Sequence, residues 1–338
     1  VEVSSGNTLS FNGKVKAGVD TRTGTLLLDP KNITIGSGSS DPISSAVFAT
    51  DESDDSTITP GTITSALDAG TNVVLQANND ITVSSAITAN NGSGNGGDLT
   101  LQAGRSVLVN ASITTDNGDL TLTANETTSN GVVNAERDSG AAVITLGSAI
   151  DTGTGTFRLT ISAGSTSGDI TLSSVTAGSL VVTNNGTTSS SDILDNGVLD
   201  IAGTSSFTTS RSNSDITLDQ ANEFTGAVSL NTSGSGGDAV VDNGTTALDI
   251  AASTVGGDLT LISGAAAGIT DSGAVSVAGN LVATTDANRG VINMGSLEVN
   301  GTIALTTDGD GDATVVNDDD INFANSTVRG DLHATATT

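Results

Sequence analysis

The sequence has few of the residues that build or cross-link a broad globular core. It contains no cysteine, tryptophan or tyrosine, three prolines and six phenylalanines among 338 residues. Without cysteine the chain forms no disulfide and no thiolate metal site. Without aromatic bulk, a core of Val, Ile, Leu and Ala fits a narrow structure made of many small layers. No run of about 18 apolar residues occurs, so no transmembrane helix is expected.

Basic residues are also scarce. The chain has 10 Lys and Arg against 38 Asp and Glu, which gives a net charge of −28. Such a surface repels nucleic acid and anionic membranes, so neither is expected as a partner. Hydrophobic residues nevertheless make up 35% of the chain and charged residues only 14%, despite 42 glycines. The composition is therefore that of a folded protein and not of a disordered tail.

A short motif that occurs twice organises the sequence. Residues 97–101, GDLTL, return as residues 118–122, about 21 residues later. In both copies apolar residues alternate with Thr, which is the pattern of a strand with one buried face. A unit of this length with two or three short strands cannot bury its apolar face alone, so it must stack on copies of itself. The motif predicts an all-β solenoid with inward positions for four leucines: Leu101, Leu122, Leu172 and Leu261.

Related strands that begin with Gly recur to the end of the chain. They start at Gly155, Gly168, Gly178, Gly226, Gly257, Gly279, Gly301 and Gly330. This uniform pattern predicts one elongated β-solenoid over residues 1–338, with about 20–22 residues per coil. Loop insertions are expected near residues 37–56 and 125–139, where the pattern is interrupted. In the Gly-Asp turns, we expect Gly to supply unusual dihedrals and Asp to bond its own backbone.

The first 70 residues contain the remaining local signals. Strands are predicted at residues 8–11, 14–17, 24–29 and 32–35. Residues 59–67 predict a single helical turn, because Thr59 can cap it and Pro60 suits its first position. The acidic run at residues 51–55 is interpreted as a solvated loop, with a cation site as the alternative. Since the chain starts at Val1 with no signal peptide, we expect it to be a segment of a longer protein.

Several stretches resemble the repeats of one bacterial protein family. Residues 67–83 and 97–107 resemble the shaft of filamentous-haemagglutinin-type adhesins, and residues 223–230, 253–261 and 269–279 are similar to longer repeats of the same surface proteins. The resemblance implies a right-handed parallel β-helix that is secreted to the cell surface. It also implies export through an outer-membrane partner in two-partner secretion, and a role in attachment or matrix building.

An enzyme is the less favoured alternative, since parallel β-helices also include polysaccharide lyases and hydrolases. The one histidine, His333, follows the last Gly-Asp-Leu and occupies an ordinary strand position in the pattern. The arginines do not cluster as a carboxylate or oxyanion clamp requires. They are spaced singly along the chain: Arg22, Arg105, Arg137, Arg158, Arg211, Arg289 and Arg329. We therefore predict no catalytic residues and no organic cofactor.

Calcium is the specific ligand that the sequence suggests. Asp308, Asp310 and Asp312 alternate with Gly309 and Gly311, as in oxygen-rich Ca²⁺ loops. The twelfth position of a helix-loop-helix site, counted from Asp308, holds Asp319 instead of the bidentate Glu, and the nonapeptide of calcium-binding β-rolls is not repeated. The three aspartates are candidate calcium ligands, and a solvated turn between coils is the alternative.

Two functional classes remain beside the enzyme. One is the shaft of a secreted surface adhesin that contacts cells, glycans or an environmental surface. The other is a structural extracellular fibre or a component of a biofilm matrix. Both predict a non-catalytic extracellular protein whose coils repeat a polar outer surface.

Overall fold

The structure is a computed structural model, and it describes residues 25–28, 30–38, 55–164, 167–187 and 191–337. The strands predicted at residues 8–11 and 14–17, and most of the loop predicted at 37–56, lie outside the described residues. The chain divides into two compact units, Val1–Gly178 and Ser179–Thr338. A single solenoid over residues 1–338 stays a prediction.

In its described residues the first unit consists of short strands with one α-helix and two short 3-10 helices, Thr128–Asn130 and Asn134–Glu136. The α-helix, α1, spans Pro60–Asp68. The strands are β1 (Thr25–Leu28), β2 (Asn32–Ile35), β3 (Asp55–Ile58), β4 (Asn72–Ala77), β5 (Ile81–Val83), β6 (Ile87–Thr88), β7 (Leu99–Ala103), β8 (Val107–Val109), β9 (Ile113–Thr114), β10 (Leu120–Ala124), β11 (Ala142–Leu146), β12 (Ile150–Asp151), β13 (Thr156–Ile161), β14 (Ser167–Leu172) and β15 (Val175–Ala177).

The second unit consists of strands throughout its described residues. They are β16 (Ser179–Asn184), β17 (Ile193–Asp195), β18 (Leu199–Ile201), β19 (Ser205–Ser212), β20 (Ile216–Leu218), β21 (Glu223–Phe224), β22 (Val228–Ser233), β23 (Ala239–Asp242), β24 (Leu248–Ile250), β25 (Ser253–Val255), β26 (Leu259–Ser263), β27 (Ile269–Asp271), β28 (Val275–Val277), β29 (Leu281–Thr285), β30 (Ile292–Val299), β31 (Ile303–Thr306), β32 (Ala313–Asn317) and β33 (Leu332–Ala336).

Parallel sheets run through each unit. In the first unit, the first sheet has the order β1-β4-β7-β10-β13, the second β3-β2-β5-β8-β11-β14 and the third β6-β9-β12-β15. In the second unit, the second sheet has the order β17-β20-β23-β26-β29-β31 and the third pairs β18 with β21. The first sheet begins β16-β19-β22, after which β22 pairs with both β24 and β25, and β30 with both β27 and β28. From β4 to β21, within each unit, each coil thus adds one strand to each sheet, whereas after β22 two strands of a coil, such as β24 and β25, join the first sheet. This parallel stacking of coils confirms the predicted β-solenoid.

The interior is a stack of aliphatic layers. Residues in register are often identical, as in Leu99 with Leu120 and Leu101 with Leu122. The four leucines predicted to point inward, Leu101, Leu122, Leu172 and Leu261, are all fully buried. Phe157, Phe207 and Phe224 are buried too, whereas Phe323 is exposed. Phe207 and Phe224 meet edge to face with ring centroids 5.9 Å apart. The period-2 pattern therefore assigns the buried face correctly.

The coil is slightly longer than predicted. Its mean length is about 23 residues, whereas the sequence pattern suggested 20–22. The step is 21 residues from Asp98 to Asp119 and 22 from Asp258 to Asn280, but 26 from Asn72 to Asp98. The steps range from 19 residues, between Asp312 and Asp331, to 37 residues, between Asp119 and Thr156, and the long steps raise the mean.

Helix α1 confirms the predicted helical turn. Pro60 lies at its start, where the missing N–H costs nothing, and Ile63 and Leu67 are buried on one face. Thr59 is the N-cap residue but makes no side-chain cap bond; its hydroxyl lies 3.1 Å from that of Thr62. Within the described ranges, no helix has the length and apolar character needed to cross a membrane.

Candidate interaction surface

The outer face of the first sheet carries polar residues in columns. In the first unit β4 and β7 are six and five residues long, and each presents two half-buried outward side chains between inward ones. In β10 only Thr121 is presented in this way, because Thr123 is buried. In-register pairing aligns Val74, Thr100 and Thr121 in one column and Gln76 with Gln102 in the next. Gln76 Nε2 donates to Gln102 Oε1 at 2.6 Å. This face therefore carries hydroxyl and amide side chains at a spacing of roughly 4.8 Å, interrupted by Val74 and by Arg158, which is in register with Thr121.

The second unit contains a similar column within its own first sheet. Asn231 pairs with Thr254, Thr254 with Ser276 and Ser276 with Glu298. Three neutral side chains therefore precede one carboxylate along the stack. In a chain with a net charge of −28, these neutral stretches are places where another surface can approach without electrostatic repulsion.

The Gly-Asp motif has a structural role that differs from the prediction. The Asp side chain accepts a hydrogen bond from the backbone N–H at the equivalent position of the next coil, and not from its own turn. Asp98 Oδ1 accepts from Asp119 N at 2.9 Å, and Asp119 Oδ1 accepts from Thr156 N at 2.8 Å. In the second unit the series runs through Asp192, Asp215, Asp238, Asp258, Asn280 and Thr302. We call these two series the carboxylate clips.

The Gly of the motif is also explained by the contact between coils. Gly118 does not have a positive φ, so the unusual dihedral expected of it is not observed. A Cβ atom on Gly118 would instead overlap the carbonyl oxygen of Gly97, the motif glycine of the preceding coil. Gly is therefore needed here because two backbones approach too closely for any side chain.

The clips bring like charges close together. Burial raises the pKa of Asp215, a hydrogen bond from Asp238 N opposes that rise, and the charges of Asp192 and Asp238 add to it. Burial likewise raises the pKa of Asp195 and Asp242. Asn280 occupies a clip position with a neutral amide and still accepts from Thr302 N at 2.9 Å. The clip therefore needs the oxygen and not the charge.

The predicted insertion at residues 125–139 is present and is held against neighbouring coils. Val133 N donates to Asn78 Oδ1 at 2.8 Å, and Asp138 N donates to Asn79 Oδ1 at 3.0 Å. Val132 is buried. The loop thus exposes residues 128–131, 134–135 and 138–139, while the backbone N–H groups of Val133 and Asp138 attach its second half to earlier residues.

Two arginines fix this loop. Arg105 Nε donates to Asp80 Oδ1 at 2.8 Å, and Arg105 Nη1 donates to Ser139 O at 3.0 Å. Arg137 Nη1 donates to Asn125 Oδ1 at 3.1 Å, and its Nη2 donates to the carbonyl of Glu126. Burial lowers the pKa of Arg137, opposed by the charge of Glu126. Both side chains therefore link the loop to the coils. We call residues 125–139 the braced loop.

The three aspartates predicted as calcium ligands each make a different contact. Asp310 Oδ1 lies 2.9 Å from Arg289 Nε, and Asp312 Oδ1 accepts from Asp331 N at 2.7 Å, which is a clip contact. The backbone carbonyl of Asp308 accepts from Gly311 N. Within the described residues, no group of three or more acidic or histidine side chains is arranged to hold a metal ion. The calcium assignment stays a prediction that these contacts do not support.

The structure places His333 in β33, exposed and in register with Thr314. This confirms the strand position read from the pattern. The absence of catalytic residues stays a prediction. The clips were missed because the repeated Gly-Asp was interpreted as a local turn; its repetition before several strands, as at Asp98, Asp119 and Asp258, was the available signal.

Comparison with known proteins adds a repeat family. Residues 159–231 and 236–292, together less than half of the chain, match the family described as repeats of unknown function (DUF5649). No curated protein and no solved structure matches the chain. The chain is therefore similar, over its middle, to a family of repeats, which agrees with its β-solenoid fold.

Proposed function

We propose that this chain is a non-catalytic shaft segment of a large secreted bacterial surface adhesin, which attaches to cells, glycans or other surfaces. The observation that carries the proposal is the outward face of the first sheet, whose in-register columns are mostly hydroxyl and amide side chains. Each such group binds weakly on its own. A rigid stack of them gains strength through many simultaneous contacts with a repetitive partner.

The first sheet is the better attachment face for a geometric reason. In the coils of β4 and β7 it presents two outward side chains between inward ones, whereas the second-sheet strands of the same coils, β5 and β8, are three residues long and present one. The wider face offers more hydrogen-bonding groups per coil. Secretion through an outer-membrane partner and a location at the cell surface belong to the proposal through the resemblance to filamentous-haemagglutinin-type repeats.

Bead display tests the proposal. Beads carrying the 338-residue chain are allowed to settle on cell monolayers and on immobilised polysaccharides, and retention under flow is measured. We expect Thr100→Ala, Thr121→Ala and Thr160→Ala together to reduce retention about ten-fold, because avidity multiplies small losses. Thr160 is an outward residue of β13, in register with Thr123 of β10. The matched control replaces Thr82, Thr145 and Thr171, outward residues of the second sheet, and should leave retention unchanged.

A structural fibre or biofilm-matrix component is the second candidate, and the carboxylate clips favour it. Their hydrogen bonds, 2.7–2.9 Å long, join coil to coil through the second unit. Such contacts suit a protein whose function is to form a long structural element. If the bead-displayed chain is retained nowhere above bare beads, attachment is overturned and the segment is a spacer.

A further inference from the structure

The outer face of the second unit has a groove where the first sheet is locally irregular. The register between β30 and β32 shifts between Met294 and Leu297, so that Gly295 and Ser296 bulge out of the strand. Asp271 holds the bulge, since its two carboxylate oxygens accept from Gly295 N at 2.8 Å and Ser296 N at 2.7 Å. Bulges re-aim side chains and often lie beside binding sites. The bulge is therefore held in place by a specific side chain, the carboxylate of Asp271.

The groove beside the bulge has a volume of about 240 Å³. This is below the roughly 300–1,000 Å³ of sites that enclose a drug-sized ligand, so it suits a single small group of a larger partner. Three hydroxyl groups line it, from Ser276, Ser296 and Thr337, and small residues such as Ala274 leave its surface open. Hydroxyls both donate and accept, which matches the hydroxyls of a sugar.

Two carboxylates complete the groove. Glu298 and Asp318 both line it and are exposed. They directly follow Leu297 and Asn317, which are register partners on adjacent parallel strands, so they lie about one strand spacing apart, roughly 4.8 Å. Neither side chain forms a hydrogen bond or ion pair with a described residue, and no Lys or Arg lines the groove. Like charges at neighbouring strand positions repel each other, and a cation between them would relieve that repulsion.

We propose that this groove binds an amino-sugar unit that carries a protonated amine. Its ammonium group donates to Glu298 and Asp318, and its hydroxyls meet Ser276, Ser296 and Thr337. The proposal rests on the proposed function, because it names the class of glycan that the attachment face selects. An N-acetylated sugar lacks the positive charge and leaves the two carboxylates without a partner, so it binds more weakly.

Titration calorimetry on the full chain tests this with two probes, a glucosamine hexamer and an N-acetylglucosamine hexamer, at a pH where the amine is protonated. Because any cation is drawn to an acidic protein, the decisive comparison is between two charge-matched variants. Glu298→Gln with Asp318→Asn alters the groove. Glu223→Gln with Asp200→Asn makes the same change at register partners on the third sheet, which do not line the groove.

The expected result is a loss of glucosamine-hexamer affinity of about ten-fold in the groove variant and less than two-fold in the control. Circular dichroism confirms that both variants fold. Equal losses in the two variants, or equal affinity for the acetylated hexamer, would overturn the proposal. The proposal would also be overturned if an oligolysine of the same charge bound as tightly and lost as much affinity in the groove variant, because the site would then fit a basic peptide. If beads are retained on cells but the groove variant loses nothing, the proposed function stands and this inference fails.

Discussion

Two parts of the molecule form the same hydrogen bond between stacked coils with different lengths of intervening chain. In the second unit Asp258 Oδ1 accepts from Asn280 N across 22 residues at 2.7 Å. In the first unit Asp119 Oδ1 accepts from Thr156 N across 37 residues at 2.8 Å. The contact is the same in both units, although the 37-residue step of the first unit contains the braced loop. Stacking is therefore set by the clip and the inward layer, and additional residues are accommodated outside the coil.

The largest expected effect tests whether the core is equally tight in both parts. Leu122→Asp, next to the braced loop, and Leu261→Asp, in the regular region, each bury an unpaired charge in a fully buried site. We expect each to lower the free energy of unfolding by about 3 kcal/mol or more. Urea denaturation followed by circular dichroism measures this. A much smaller loss for Leu122→Asp would mean that the loop loosens the layer beneath it.

Close contact between coils gives the next effect. Gly118→Ala should cost about 2 kcal/mol, because the added methyl group overlaps the carbonyl oxygen of Gly97 and the coils must separate. Gly279→Ala tests the same contact in the regular region, against Gly257. The control is Gly61→Ala in α1, where nothing lies within 4 Å of the new atom and Ala is the better helix former by up to about 1 kcal/mol. Equal stability of all three variants would contradict the role assigned to the motif glycine.

The braced loop should depend on Arg137. Arg137→Ala leaves Asn125 Oδ1 and the Glu126 carbonyl without this donor, at a cost of about 1–2 kcal/mol that falls mainly on the loop. We expect faster proteolysis within residues 127–141 and unchanged proteolysis elsewhere. Arg158→Ala removes an exposed arginine from β13 and is the control. If both variants are cleaved at the same rate, the loop is held by its backbone contacts alone.

Local patterns predicted most of the fold. Alternation placed Leu101 and Leu122 inside, and Pro60 marked the start of α1. These signals depend on residues within one strand or one helical turn. The braces of the loop could not be predicted in this way, because Asn79 and Asp138 are 59 residues apart and meet only after the coils stack.

The same limit applies to the outer surface. The clips join residues one full coil apart, and a single sequence does not show which N–H lies opposite a given Asp until the register is known. The groove arises from a shift of register at Gly295 and Ser296, which interrupts the strand without any Pro or acidic run to mark it. The residues near each feature were visible in the sequence, but their partners were not.

The smallest expected effect separates the charge of a clip from its hydrogen bond. Burial and neighbouring carboxylates raise the pKa of Asp215. Below the unfolded pKa, about 3.9, the residue is protonated in both states and its ionisation contributes nothing. Above the raised folded pKa it is ionised in both states, and the folded state bears the cost of a buried charge among like charges. Stability from this residue therefore rises as the pH falls through the folded pKa.

Asp215→Asn should remove that pH dependence while keeping the oxygen that accepts from Asp238 N, as Asn280 does in its own coil. At neutral pH we expect a gain below about 1 kcal/mol. Asp215→Ala removes the oxygen as well and should instead lose about 1–2 kcal/mol, since a backbone donor loses its partner. Urea denaturation of the two variants and the parent chain between pH 4 and pH 8 measures both effects. A loss of stability in Asp215→Asn at neutral pH would show that the clip requires a charged acceptor, and that the neutral Asn280 is held by other contacts.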